Sequence, residues 1–381
     1  MTKQEVYFRS EREAMFPTRS KPFMAMILPV FFCLTSLSLT EGAPACSTVA
    51  FESAQRPMLA YNFDFEATGA GFLTANSAGS RRQSITEGRP ASWTAKYDSL
   101  TINQVGPGMP AAGMNTAGLV VTLMWNKEAV FGGPEDLPSV SELEFIQRLL
   151  DLSGSVEDAL QHANDVRIDG LVPIHYFLFD WTGEAAVLTP GKSGLLVHQG
   201  VDLPVPALTN TPYPEALLHL GQSRGYGGTL PVPQNQSLGT QNSLDRFAIA
   251  ANAARQSKGR TSTDEAFNLL NKLANSDTRW QMVFDPKGQK IWLRITGSSL
   301  EHLLDLSKLD FACQVPPLAI DLRQLSPEFK ARNLSPIQPD TLGESLAEVL
   351  SSMRQTAHLG RAEIAGAIAT GLIFSSSCTA K

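Results

Sequence analysis

The sequence has no strong excess of either charge and no long basic stretch. Its 381 residues include 31 Lys and Arg against 37 Asp and Glu, for a formal net charge of −6, and its one basic cluster is the pair Arg81 and Arg82. Nucleic-acid-binding domains carry a basic patch or stripe, so no nucleic-acid partner is predicted. With 43% hydrophobic and 18% charged residues, the composition favours a globular protein that acts on a small molecule.

The motifs of several common catalytic sites are missing as well. The six histidines stand singly, with neither HExxH nor the Cys-His spacing of a zinc site, so no metal is predicted. His175, within the apolar segment PIHYFLF, is predicted to be a packed strand residue. GxSxG, a Walker loop and a strand-linked GxGxxG are also absent, which gives no support to a serine hydrolase or a nucleotide site. The sequence therefore predicts no cofactor.

Long apolar runs are scarce, and the most apolar one lies near the start of the chain. The run MAMILPVFFCLTSLSL (24–39) follows basic residues and precedes Ala-Pro-Ala at 43–45, a pattern typical of a signal peptide cleaved before Cys46. A membrane anchor is the alternative, but the run is shorter than the roughly 20 apolar residues that span a bilayer. We therefore predict a cleaved signal peptide over 1–45, a single domain over 46–381, and an exported protein, periplasmic or secreted.

Cysteine is also rare, and cleavage would leave three of the four. Cys313 and Cys378 could pair in an oxidising compartment or remain unconnected thiols, and Cys46 would stand at the new terminus. A terminal cysteine joins a thiol, with a reference pKa near 8.5, to an α-amine with a reference pKa near 7.7 to 8.0. The amine can take the proton of the thiol, so this nucleophile needs neither a histidine nor a metal.

The remaining pattern predicts strands and helices in alternating groups. Hairpins are indicated at STVAF with MLAYNFDF, within IHYFLFDWTGEAAVLTP, and within WQMVFDPKGQKIWLRI, and GLVVTLMW (118–125) is a further apolar strand. Two helices are predicted to open at Ser141 and Ser155, each with an acidic residue three positions on, and others near 243–256 and 264–274. Apolar strands need cover on both faces, which favours an α+β fold with two antiparallel sheets between helix layers.

Two kinds of segment remain. The stretches 66–112 and 200–240, rich in Gly, Pro and aromatic residues, are predicted to be loops that wall an apolar acyl pocket, although surface loops have the same composition. The charge-poor tail AEIAGAIATGLIF (362–374) indicates a packed terminal helix. It would dock either on its own domain or on a second copy of the chain, so a homo-oligomer stays open.

The order of these motifs resembles a known family. CSTVAF, YNFDF, GMNTAGLVVTLMW, IHYFLFDWTGEAAVLTP, ALTNTPY, NSLDRFA and WQMVFDPKGQKIWLRI together resemble the choloylglycine hydrolase family of linear amide C–N hydrolases, over roughly residues 46–296. The family includes penicillin V acylases and bile salt hydrolases. The resemblance implies the N-terminal nucleophile hydrolase fold, an αββα sandwich, and hydrolysis of a small-molecule N-acyl amide without a cofactor.

The resemblance also implies roles for individual residues, each with a structural alternative. Cys46 matches the nucleophile that forms an acyl-thioester, and the alternative is a structural cysteine. Asp64 matches the aspartate that holds the α-amine, and the alternative is a turn residue. Asn210 matches the oxyanion-hole asparagine, and the alternative is a turn residue. Arg246 matches the cation beside the nucleophile, and the alternative is an arginine on a helix surface. Trp125 falls at a position beside the scissile bond, and core packing accounts for it equally well.

One position departs from the family. Bile salt hydrolases and many penicillin acylases have an arginine where this chain has Tyr61, a residue that we expect to bind substrate. The departure weakens a bile-salt or penicillin assignment, but amide hydrolysis as a class stays supported. The candidate substrates are N-acyl homoserine lactones, phenoxyacetyl-type amides and fatty-acyl amides. Two alternatives remain: a lipid-anchored binding protein lipidated at Cys46, although Ala43 does not fit the usual lipobox, and an acyltransferase of the same fold.

Overall fold

The computed structural model describes residues 45–53, 55–65, 71–170, 172–237, 242–257, 259–326, 329, 334–352, 360–373 and 376–378. The predicted signal segment, apart from Ala45, lies outside these residues. The strands are β1 (Ser47–Phe51), β2 (Met58–Asp64), β3 (Phe72–Asn76), β4 (Ser80–Gln83), β5 (Ser92–Thr94), β6 (Ser99–Asn103), β7 (Ala112–Asn115), β8 (Val120–Trp125), β9 (Ser139–Val140), β10 (Arg167–Ile168), β11 (Ile174–Phe179), β12 (Ala185–Gly191), β13 (Gly194–Gln199), β14 (Ala207–Leu208), β15 (Thr278–Asp285), β16 (Lys290–Ile295), β17 (Glu301–Asp305), β18 (Leu318–Asp321), β19 (Ser335–Pro336) and β20 (Ser376–Cys378). The helices are α1 (Glu142–Leu152), α2 (Val156–Ala163), α3 (Tyr213–Leu220), α4 (Asn242–Ser257), α5 (Thr263–Leu273), α6 (Pro339–Ser352) and α7 (Ala362–Ile373).

A six-stranded antiparallel sheet contains two of the predicted hairpins side by side. Its order is β14-β1-β2-β15-β16-β17, so β2 and β15 are its central pair. Every residue of β1 and β2 is buried, as expected of strands covered on both faces. The start of β1 and the end of β2 therefore meet at one edge of the sheet interior, with Ser47 opposite Asn62.

A nine-stranded antiparallel sheet, ordered β13-β12-β11-β8-β7-β6-β3-β18-β19, contains strands that were predicted to be loops. The stretch 66–112 was expected to wall a pocket, but between Phe72 and Asn115 the chain forms β3 to β7, so this part of the prediction is wrong. The buried polar residues of β3 and β6 bond to one another, as when Asn103 Nδ2 donates to Thr74 Oγ1 at 3.0 Å. Such pairs weaken the apolar alternation that identifies a strand from sequence.

The two sheets face each other, and helices cover their outer faces. Thr48 Oγ1 of β1 lies 3.1 Å from Thr122 Oγ1 of β8, which joins the inner faces of the sheets. On the opposite face of the six-stranded sheet, Asn62 Nδ2 donates to Leu270 O of α5 at 2.9 Å, and α4 packs over β1. Helix α1 packs on β7 and β8. This is the predicted αββα arrangement.

Helix boundaries follow the predicted caps. Ser141 caps α1 in a capping box with Glu144, and Ser155 accepts a hydrogen bond from Asp158 N–H at the start of α2. At the other end of the chain, α7 packs against α6 and contributes to a second apolar cluster with Phe72. The tail helix is thus docked on its own chain.

The structure joins Cys313 to Cys378 by a disulfide, a pairing that the sequence left open. Strand β20, which contains Cys378, pairs with β4, so the last described strand is held by the disulfide to Cys313 and by the strand pairing to the N-terminal third of the chain. None of the helices in the described ranges is long and apolar enough to cross a membrane.

Candidate active site

Cys46 lies directly before β1 and contacts the main chain where β2 ends. Its Sγ donates to Asp64 O at 3.6 Å and accepts from Asp64 N–H at 3.4 Å. The residue has no exposed surface, and it is the one free cysteine among the described residues. The antiparallel register of β1 with β2 creates this contact, because it brings the residue before Ser47 level with the residues after Asn62.

The environment of Cys46 holds the thiol in its protonated form. Burial and the nearby Asp64 raise the pKa of the thiol to about 12, against smaller lowering effects from the Asp64 N–H, Arg246 and a hydrogen bond with Tyr61. In the full-length chain a peptide bond also joins Ala45 to Cys46, so no α-amine is present. An uncut chain therefore has neither a thiolate nor the predicted base at neutral pH.

Two donors at the start of β15 anchor the carboxylate of Asp64: Thr278, the first residue of the strand, and Asn275, three residues before it. Thr278 Oγ1 donates to Oδ1 at 2.6 Å and Asn275 Nδ2 donates to Oδ2 at 3.1 Å. Burial raises the pKa of this carboxyl to about 7, opposed mainly by Arg246. A carboxyl in this state would gain a counter-charge from an ammonium formed at Cys46. The sequence did not indicate Asn275 or Thr278, because a polar pair ahead of a strand is common in turns.

Arg246, on the first turns of α4, connects Cys46 and Ser47 to Asn210. The side chain is buried, and its Nη1 donates to Cys46 O at 2.7 Å and to Ser47 Oγ. Its Nη2 donates to Asn210 Oδ1 at 3.0 Å, and Nε donates to Asn242 Oδ1 at 2.8 Å. These four acceptors are neutral, so the guanidinium charge acts on the site through space and lowers the pKa of both Cys46 and Asp64. The residue is not a helix-surface arginine.

Asn210 and Trp125 belong to a closed ring of hydrogen bonds. Asn210 Nδ2 donates to Trp125 O at 3.1 Å. The residue after Trp125 is Asn126, and its Nδ2 lies 3.3 Å from His175 Nδ1. His175 Nε2 in turn lies 2.6 Å from the carbonyl oxygen of Thr209, the residue before Asn210. The ring thus closes through two peptide bonds.

His175 is the member of this ring that the sequence did not assign to the site. It is fully buried, and burial lowers its pKa to about 4, so the imidazole is neutral at physiological pH. A neutral imidazole has one donor and one acceptor. With Thr209 O as its acceptor partner, Nε2 carries the proton and Nδ1 accepts from the Asn126 amide. The sequence indicated only a packed strand residue, which is also true.

Tyr61 and Trp125, the predicted substrate contacts, lie at different depths. The Tyr61 side chain is fully buried between the sheets, where its hydroxyl donates to Leu123 O at 3.0 Å and has a hydrogen bond with Cys46. Trp125 is partly exposed at the end of β8, and its main-chain carbonyl is what contacts Asn210. Cys46, Asp64, Asn210 and Arg246 are therefore brought together, with Tyr61 buried beside the thiol and Trp125 partly exposed beside Asn210.

No group of three or more His, Cys, Asp or Glu side chains within the described ranges is arranged to hold a metal ion. The side chains around Cys46 are amides, hydroxyls, one carboxyl and one guanidinium, which suit hydrogen bonding and proton transfer.

The sheet order and helix cover are those of the N-terminal nucleophile hydrolases, and comparisons with solved structures bear this out. A penicillin V acylase from Agrobacterium tumefaciens superposes with a TM-score of 0.62 at 20% identity, covering 77% of this chain and 98% of that one. A mutant conjugated bile acid hydrolase from Clostridium perfringens gives a TM-score of 0.58 at 16% identity, covering 74% and 97%. At these identities the similarity establishes the fold.

The chain belongs to the linear amide C–N hydrolases, choloylglycine hydrolase family, whose family model matches residues 46–254. It is therefore a hydrolase acting on carbon–nitrogen bonds other than peptide bonds, in linear amides. No curated protein matches the sequence. The family match begins at Cys46, the residue around which the site is built.

Proposed function

We propose that this protein is an exported amidohydrolase that removes the acyl group from an N-acyl amide, with Cys46 as nucleophile and the α-amine freed by cleavage before Cys46 as base. The observation that carries the proposal is the attachment of Cys46 on two sides. Its sulfur contacts the main chain of Asp64, and its carbonyl accepts from Arg246, which in turn holds Asn210.

The chemistry proceeds in two halves. The α-amine takes the thiol proton, and the thiolate attacks the amide carbonyl to give a tetrahedral oxyanion near Asn210. Collapse of this intermediate breaks the C–N bond, the ammonium returns its proton to the leaving amine, and a thioester remains. Water, deprotonated by the same α-amine, then attacks the thioester and releases the acid and the thiol.

Cleavage before Cys46 changes the electrostatics in the direction that this chemistry needs. It removes Ala45 and places an ammonium beside Asp64, whose raised pKa of about 7 falls when a cation becomes its neighbour. The same positive charge lowers the pKa of the thiol from about 12. Processing at a signal-peptide junction would thus couple export to activation.

The substrate class remains a proposal within linear amides. The similar structures are described as acting on penicillin V and on conjugated bile acids. Because this chain has Tyr61 in place of the expected arginine, we favour N-acyl homoserine lactones, phenoxyacetyl-type amides and fatty-acyl amides over bile-acid conjugates.

The first experiment examines the chain terminus. Intact mass and N-terminal sequencing of protein from the exported fraction should give a start at Cys46 with unmodified thiol and amine. Added lipid mass would instead support the lipid-anchored binding protein. An uncut chain with full activity would contradict the role of the α-amine.

The second experiment tests the nucleophile on a panel of acyl amides that includes penicillin V and a conjugated bile acid. We expect Cys46→Ala to lower kcat/KM at least about a thousandfold and Cys46→Ser to keep low residual activity. An alanine variant that works at the parent rate would show that another group attacks. Adding a competing amine distinguishes acyl transfer from hydrolysis, since a transferase would form a new amide.

A further inference from the structure

Tyr61 and Cys46 project from the same face of the β1–β2 hairpin. Tyr61 pairs with Thr48, and Thr48 contacts Thr122 of the second sheet. Because side chains alternate along a strand, Cys46, two residues before Thr48, points to the same side, diagonal to Tyr61. Ser47 and Asn62 point to the other side, where Arg246 and Leu270 contact them. The thiol is therefore reached by the phenol on its own face of the sheet, while the guanidinium approaches from the opposite face.

The Tyr61 hydroxyl has two acceptors within reach and one proton. It donates to Leu123 O at 3.0 Å, and the Cys46 sulfur lies close enough to accept from it instead. The thiol has its own acceptor, Asp64 O at 3.6 Å. While the sulfur is protonated, the Tyr61 hydroxyl donates its proton to the Leu123 carbonyl, the stronger of the two acceptors. Once sulfur is a thiolate, it is a charged acceptor, and bonds to charged acceptors are about twice as strong as neutral ones.

We propose that Tyr61 is a catalytic residue of this site, whose hydroxyl turns from the Leu123 carbonyl to the Cys46 sulfur when the thiol ionises and donates a hydrogen bond to the thiolate. The inference rests on the proposed function, in which the α-amine takes the thiol proton. Tyr61 keeps its own proton throughout. Together with the Asp64 N–H at 3.4 Å, the thiolate then has two donors in a site without exposed surface.

A phenol suits this position for an electrostatic reason. Arg246 is already a fully buried cation whose pKa is lowered by burial. A second cation beside the thiol would add to that desolvation cost and would repel both Arg246 and the ammonium formed at Cys46. A neutral donor stabilises the thiolate without this repulsion. Tyr61 thus acts directly on the nucleophile.

The test removes the hydroxyl and titrates the thiol. In the chain processed before Cys46, cysteine labelled with ¹³C at the β-carbon reports Cys46 directly, because Cys313 and Cys378 are joined in the disulfide. Tyr61→Phe should raise the apparent pKa of the Cys46 thiol by about one unit and lower kcat/KM at pH 7 by about tenfold or more.

Tyr176→Phe is the matched control. Tyr176 is equally buried, and its hydroxyl donates to a backbone carbonyl, Glu142 O at 2.9 Å, away from the thiol. Both variants lose the same kind of bond and should lose similar stability, but Tyr176→Phe should leave the titration of Cys46 at the parent position. An unchanged titration in Tyr61→Phe would overturn the proposal and leave Tyr61 as a link between sheets. Since the titration uses no substrate, failure of the amidohydrolase proposal would be detected separately, by the panel of acyl amides.

Discussion

At the scale of single residues, the carboxyl of Asp64 makes the folded state sensitive to pH. Its pKa is raised from 3.8 to about 7, so between these values the folded chain binds a proton that the unfolded chain has released. Stability from this group is therefore present below about pH 4 and is lost as the pH rises toward about 7, at up to about 1.4 kcal/mol per pH unit.

We expect Asp64→Asn to abolish this part of the pH dependence in the uncut chain. The measurement is the free energy of denaturant-induced unfolding of parent and variant from pH 4 to 8, and their difference isolates Asp64 from the other buried carboxyls. A difference that stays constant across this range would contradict the raised pKa. The processed chain should depend less on pH, because its ammonium lowers the pKa of Asp64.

Arg246 supports a prediction about geometry as opposed to charge. Arg246→Lys keeps the charge but cannot reach Cys46 O, Ser47, Asn210 and Asn242 together, because an ammonium lacks the planar fork. We expect a loss of about 3 kcal/mol in unfolding free energy and at least about a tenfold loss in kcat.

Arg255→Lys is the control for Arg246→Lys, because it lies on the same helix and makes an exposed bond to Gly225 O and a contact with the ring of Tyr226. Chemical denaturation should show that Arg255→Lys lowers the unfolding free energy by less than about 1 kcal/mol, and the kcat of this variant should match the parent. Equal effects of the two substitutions would mean that the contacts of Arg246 carry no special role.

At the scale of elements, β8, β11 and the segment around β14 meet in the ring that contains His175. We expect His175→Ala to lower kcat about tenfold with little change in KM, because Asn210 loses its support through Thr209 while the site keeps its shape. His175→Gln should recover part of the loss, since its amide can donate to Thr209 O and accept from Asn126.

His302→Ala provides the comparison for His175→Ala. This histidine is also buried with a lowered pKa, but it lies on β17, the edge strand of the six-stranded sheet that is farthest from β1. Steady-state kinetics should show parent kcat and KM for this variant, with an effect on thermal stability alone. If His175→Ala behaves in the same way, the ring serves stability and not turnover.

The elements that the sequence predicted well are those with a clear local signal. The apolar hairpins and the Ser-initiated helices α1 and α2 were predicted because their hydrophobic period and caps are local. Strands β3 and β6 were missed because buried polar residues interrupt their apolar pattern, and Asn103 finds its partners at Thr74 across the strand pair and at Thr101 within β6. The roles of Cys46, Asp64, Asn210 and Arg246 came from a resemblance in motif order, whereas His175 and Asn275 needed coordinates, since their partners lie far away in sequence.

At the scale of the whole molecule, the Cys313–Cys378 bridge closes a loop across 65 positions of sequence. In the chain-entropy account, such a cross-link stabilises by about 4 kcal/mol, less where the native state is strained. We expect Cys378→Ser to lower the unfolding free energy by about 2 to 4 kcal/mol, measured by chemical denaturation. The kinetics of the processed enzyme should be unchanged at temperatures where both proteins are folded, and a change in KM would indicate that the bridge shapes the site.

The attachment of Cys46 has a further consequence for the lifetime of the enzyme. Chain ends usually fray and are open to aminopeptidases, and here the removal of a single residue would delete the proposed nucleophile. Cys46 is instead fully buried, fixed through its carbonyl to Arg246 and through its sulfur to the main chain of Asp64. The contacts that hold this residue would therefore also protect a chain cleaved before Cys46 from exoproteolysis.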